Sequence, residues 1–170
     1  MRALGCRAMK LSLITHAFVA ATCAPDPAFA SVEPTLLDVA TQAIKTGPDR
    51  DVIARAIVVA VQKESDEAPL TGSHAEDVAL LGVFVRHESG GNIVPNPVSW
   101  DAKLQISNGP WQMPANVARL PLATQARTWL HWAKKAGVAG LCGHGEAARR
   151  IAEQRTQEAR AVLAAALAAR

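Results

Sequence analysis

Between Ser73 and Gly91 the chain carries both ends of one helix with an apolar stripe between them, and the rest of the fold must be arranged around it. Ser73 and Glu76 have the Ser-x-x-Glu spacing of a capping box, in which each side chain satisfies the other's free backbone N–H. Leu81, Phe84, Val85 and Glu88 follow at i, i+3, i+4 and i+7, so they share one face. Gly90-Gly91 then ends the helix. A carboxylate closing an apolar stripe is unusual, because an ionised group without a partner avoids burial. Partial burial would keep it protonated near neutrality, as a general acid requires. Full exposure would make it an ordinary helix-end glutamate, and periodicity alone leaves both open.

The other periodic segments are helical as well. One helix is expected after Thr35 to about Lys45, stopped by Gly47-Pro48. A second runs from about Asp51 to Lys63, where Ile53, Ile57, Val58 and Val61 form a stripe that Val59 widens toward burial on most sides. A later one spans about Leu122 to Lys135, with Ala126, Trp129, Leu130 and Ala133 at helical spacing and Gly137 and Gly140 as breakers. The last runs from about Glu146 to Ala168, with Ile151, Ala159, Val162, Leu163 and Leu167 on its apolar side. Hydrophobic residues make up 49% of the chain and charged residues 19%, enough apolar material for a packed core and too little charge for a disordered chain.

The N-terminus reads as a targeting segment. Arg2, Arg7 and Lys10 precede a mostly apolar stretch from Leu11 to Thr22, and Ala28-Phe29-Ala30 has the small-x-small pattern of a signal-peptidase site. Residues 1–30 are therefore expected to be a signal peptide, residues 31–170 one mature domain, and the location periplasmic or secreted. Cleavage would take three of the 18 basic residues and one of the 15 acidic ones, leaving a net charge of +1 in place of +3. A nucleic-acid partner is then weakly motivated. Cys6 and Cys23 would leave with the signal, so Cys142 has no intrachain disulfide partner in the mature chain and reads as a structural thiol. No other segment is long and apolar enough to span a membrane. No metal or other cofactor is expected, because His74, His87, His131 and His144 show no ligand spacing.

The longest irregular stretch, Asn92 to Pro114, holds Pro95, Pro97, Gly109, Pro110 and Pro114. A loop of that length in a compact domain is typically functional or disordered, and a short β-hairpin fits around Leu104 to Ile106. On either side of it stand His87-Glu88-Ser89-Gly90-Gly91-Asn92 and Asn108-Gly109-Pro110-Trp111-Gln112-Met113-Pro114. From about Val78 to Pro114 this pattern resembles the soluble lytic transglycosylase and goose-type lysozyme superfamily. There an apolar helix ends in Glu-Ser-Gly with Asn shortly after, and a Gly-x-x-Gln segment follows across an irregular loop.

The resemblance implies an all-α, lysozyme-like domain of about five helices, with a long irregular active-site loop that lays Gln112 across a cleft beside Glu88. It implies that Glu88 is the catalytic acid, that Ser89 supports it, and that the partner is the glycan strand of peptidoglycan. The reaction would open the β-1,4 bond between N-acetylmuramic acid and N-acetylglucosamine and leave a 1,6-anhydro end. Ser89 and Gln112 have the donors and acceptors to meet the acid or the sugar's N-acetyl group, and Asn92 suits the turn after the helix. Trp100 and Trp111 either stack on sugar faces or plug the loop against the helices, whereas Trp129 and Trp132 suit core packing. His87 points about 100° away from Glu88 around the helix, toward solvent. Two alternatives stay open: a hydrolytic muramidase, with Asp101 the nearest second carboxylate, and a non-catalytic glycan binder that keeps the fold. One departure favours the latter. The family's downstream tyrosine is missing, and Gly140-Leu141-Cys142-Gly143-His144-Gly145 stands near its place.

Overall fold

The computed structural model describes residues 34–93 and 109–169. Residues 1–30, Trp100, Asp101 and the hairpin segment Leu104 to Ile106 lie outside them. The described part is all-α, without a β-strand. Its helices are α1 (Pro34–Ile44), α2 (Arg50–Gln62), α3 (His74–Ser89), α4 (Ala115–Ala118), α5 (Leu122–Leu141) and α6 (Gly145–Ala168).

Helix α3 is the central element, packed on α1, α2 and α6. Every residue from Glu76 to Val85 is buried, so its first ten core positions have no solvent face. The start is the expected one in half: Ser73 Oγ accepts the Glu76 N–H at 3.1 Å. The Glu76 carboxylate is drawn to Arg160 of α6 at 2.8 Å. Buried Asp77 collects the N–H groups of Leu70 and Thr71 at 2.9 and 2.8 Å and the Thr71 hydroxyl at 2.7 Å, which satisfies a charge that burial would otherwise penalise. Helix α2 is buried from Ile53 to Val61 except at Arg55, as its wide stripe implies. Each fully buried Ile or Val there contributes about 1.5–3 kcal/mol.

Small residues set the spacing between helices. A Cβ on Gly82 of α3 would stand 2.6 Å from Ala43 Cβ and 3.2 Å from the Ala40 carbonyl of α1, so the two backbones meet where side chains are absent or shortest. On α6 the buried residues are Ala148, Ala152, Ala159 and Ala166, with Arg155 and Val162 completing a 4-3-4-3-4 stripe against the core. This corrects the expected apolar side: Ile151 is 39% exposed and Leu167 55% exposed, because the alanine stripe, not the larger side chains, permits close packing. Two further differences concern helix ends. Helix α5 does not stop near Lys135; Gly137 breaks the φ/ψ pattern at φ 75° and the chain resumes helical turns to Leu141. Helix α4 was not legible, being a single turn started by Pro114.

Turns lock the end of α3. Gly90 caps it in the left-handed region, φ 63°, and Gly91 follows at φ 78°. The Gly91 carbonyl accepts the Asp49 N–H at 3.1 Å, and the Asp49 carboxylate accepts the Ile93 N–H at 2.8 Å. A Cβ on Gly91 would come within 2.4 Å of the Thr46 carbonyl, whereas one on Gly90 would meet nothing within 4 Å. The two adjacent glycines are thus required for different reasons. Gly90→Ala should cost about 1–2 kcal/mol, the left-handed penalty alone. Gly91→Ala should cost about 1–3 kcal/mol more, because the backbone itself must move. Urea unfolding of both variants checks this, and equal midpoints would contradict it.

Candidate functional site

Glu88 sits on the last turn of α3, where burial gives way to the surface. Its side chain is 31% exposed, and the group beside its carboxylate is a guanidinium, not an apolar wall. Arg155 Nη1 of α6 donates to Glu88 Oε1 at 2.6 Å, and Arg155 is only 15% exposed. Beneath it lies the ring of Phe84, whose centroid is 4.4 Å from the guanidinium carbon. Phe84 in turn packs on Trp129 of α5, with ring centroids 4.7 Å apart and planes tilted by 59°. Carboxylate, guanidinium, phenyl and indole therefore form one column from the surface into the core.

Cys142 joins this group at the end of α5, in the segment where the resemblance expects a tyrosine. Burial pushes its thiol up, the Arg155 charge pulls against this, and the Glu88 charge adds to the rise. A thiol held in its neutral form is a poor nucleophile, in keeping with a structural role.

The remaining candidates are placed as follows. Ser89 Oγ donates to the Val85 carbonyl of its own helix at 3.0 Å, so in this state its hydrogen bond supports the helix end. Asn92 stands between Gly91 and Ile93, whose backbone groups both bond Asp49. Trp111 is buried and its indole N–H donates to the Leu81 carbonyl at 3.3 Å, so it plugs the loop against α3. Trp129 is buried as expected, and Trp132 is half-buried. Gln112 is half-buried in the left-handed region at φ 49°, uncommon outside glycine and costing about 1–2 kcal/mol. Its Nε2 donates to the Gly109 carbonyl at 3.1 Å. With Met113, Pro114, Trp129, Trp132 and Leu141 it walls a small pocket. Glu88 is not among those walls. Trp129 joins the two halves, touching Phe84 on one side and the Gln112 pocket on the other.

Two further residues bear on this site. Arg155 is marked in the sequence only by its spacing from Ala148, Ala152 and Ala159 on α6. Gln125 is buried and clamps the Gln112 loop, its Nε2 donating to the Ala118 and Leu120 carbonyls at 3.1 and 2.7 Å. Gly109 lies at φ 75°, a conformation that favours glycine, with Gln125 Oε1 2.9 Å from where a Cβ would stand.

A second charge group borders the first. Glu158 of α6 pairs with Arg86 and, at 2.7 Å, hydrogen-bonds His87 of α3, so the exposed His87 ring is engaged at the surface. Burial alone would raise the Glu158 carboxyl, but the His87 hydrogen bond and the Arg86 charge hold it below its ordinary value of 4.5. Among the described residues no group of His, Cys, Asp and Glu is placed to hold a metal ion, and no helix is long and apolar enough to cross a membrane.

No family model, curated protein or solved structure matches the chain.

The Glu158 pairing has a pH consequence. A carboxyl whose folded value is depressed stabilises the fold fully above its unfolded value, near 4.5, and loses that contribution as pH falls through the lower folded value. Glu158→Gln should therefore be less stable than the parent at pH 7 and show a shallower loss of stability from pH 5 to pH 3. Urea midpoints across that range test it; parallel curves would contradict the pairing.

Proposed function

We propose that the protein cleaves peptidoglycan glycan strands as a lytic transglycosylase of lysozyme-like fold, acting outside the cytoplasm after export. The observation that carries this reading is the half-exposed Glu88 carboxylate on the last turn of a buried helix, heading Glu-Ser-Gly above a glycine-locked turn. The strained Gln112 loop, following in the order that the resemblance requires, supports it.

In this mechanism Glu88 delivers a proton to the bridging oxygen as the bond to C1 of the muramoyl ring breaks. Positive charge develops at C1 and the ring oxygen. The resulting carboxylate then takes the proton of the muramoyl 6-hydroxyl, and the 6-oxygen bonds C1 to give the 1,6-anhydro product. The attacking hydroxyl belongs to the same sugar, so its approach costs little entropy, and no second carboxylate is needed. A hydrolase would need a second carboxylate or another activated water, with Asp101 the first residue to examine. Gln112 and Ser89 would orient the N-acetyl groups, Ser89 by leaving its bond to Val85. A second reading, a non-catalytic glycan binder, is favoured by the Arg155 ion pair, which engages Glu88 as a carboxylate.

Glu88→Gln keeps shape and hydrogen-bonding reach but has no proton to give. Release of soluble muropeptides from purified sacculi should fall a hundredfold or more, with helix content unchanged. Gln112→Ala should lose about tenfold, roughly 1.4 kcal/mol of transition-state stabilisation. Full release by Glu88→Gln would remove the mechanism, and sedimentation of the parent with sacculi without any release would leave the binder.

A further inference from the structure

We propose that Arg155 is a carboxylate-recognition residue: it holds Glu88 in the resting site and passes to a carboxylate carried on the muramoyl lactyl arm of the strand, which frees Glu88. The inference rests on the reading that murein is the substrate and adds the charge that the site selects. Of the two partners the cation is the fixed one. Arg155 stands in the alanine stripe that seats α6 against the core, is 15% exposed, and lies on the face of Phe84 at 4.4 Å. Phe84 is itself buried against Trp129. Glu88 is twice as exposed, on the final turn of α3, and is the partner that can swing outward. The neighbouring charges do not compete for this place, because Arg86 and His87 of α3 engage Glu158 of α6, and burial favours the neutral thiol of Cys142 at the end of α5.

A guanidinium binds carboxylates through paired N–H donors, so an entering carboxylate is a like-for-like replacement. The exchange replaces one carboxylate by another on the guanidinium, so the charge beside Arg155 is unchanged and the Glu88 carboxyl is left free for the leaving oxygen. Two parts of murein offer such a group: the free lactyl carboxylate of a peptide-free strand, and the carboxylates of a stem peptide.

The test uses short strands alternating N-acetylmuramic acid and N-acetylglucosamine in three forms, with free lactyl groups, with lactyl methylamides, and with stem peptides attached. Calorimetric Kd is measured for the parent, Arg155→Gln and Arg155→Lys, alongside kcat/KM. The parent should bind at least one carboxylate form about tenfold more tightly than the methylamide, and whichever form that is identifies the source. Arg155→Gln should bring the ratio near one, and Arg155→Lys should restore part of it. A parent indifferent to the methylamide, or a preference that survives in folded Arg155→Gln, would overturn the proposal; should Arg155→Gln not fold, an Arg155→Lys ratio equal to the parent's would do so. A parent that cleaves none of the strands refutes the catalytic reading, and the Kd ratios still decide the recognition of charge.

Discussion

Where α3 ends determines where Glu88 stands, and that end is set by backbone meeting backbone at Gly47 and Gly91. A Cβ on Gly47 would lie 2.5 Å from the Gly90 carbonyl, and one on Gly91 would lie 2.4 Å from the Thr46 carbonyl. Asp49 closes the same junction through the Gly91 carbonyl and the Ile93 N–H. The turn after α1 is thus the clamp for the turn after α3. Upstream, Gly82 lets α1 lie directly on α3. The helix is held along its length by buried apolar residues and at its exit by hydrogen bonds, so the last turn can carry polar groups without fraying.

The α3–α6 seam follows from this. Alanines at 148, 152, 159 and 166 bring α6 close, with Arg155 in the same stripe and Glu158 and Arg160 beside it. Glu76 with Arg160, Glu158 with Arg86 and His87, and Glu88 with Arg155 form three successive ion-pair groups along it. A partner removed from a partly buried pair such as Arg155 with Glu88 strands the other charge, so breaking the pair costs more than the pair adds in net stability. On the far side Lys134 of α5 ties Glu64 and Glu67 after α2. Burial would lower its ammonium, yet the two carboxylates hold it above the ordinary range.

The helix from Ser73 to Gly90 was legible because its periodicity, cap and stop agree, and that from Asp51 to Lys63 because its apolar stripe is wide. Gly137 misled because a glycine at positive φ can kink a helix without ending it when the next turn re-forms its own hydrogen bonds. Ile151 and Leu167 misled because hydropathy ranks them above alanine, while the close helix contact selects for size. At the site, the place of Glu88 on the last turn of α3 was legible from the apolar stripe and the glycine stop. The hydrogen bond from Ser89 to Val85 and the burial of Trp111 were not, since each depends on a partner that sequence order does not specify. Arg155 lies 67 residues from Glu88, and only the three-dimensional packing of α6 brings the two together.

The central claim is chemical: one carboxylic acid, without a second carboxylate, opens a glycosidic bond by using the sugar's own 6-hydroxyl. Mass spectrometry of the soluble material that the intact protein releases from sacculi reads this directly. The account predicts muropeptides that end in 1,6-anhydro-muramic acid, lighter by one water than reducing-end products. Reducing ends would contradict it and assign the protein to the hydrolases, and an absence of released material would contradict catalysis altogether.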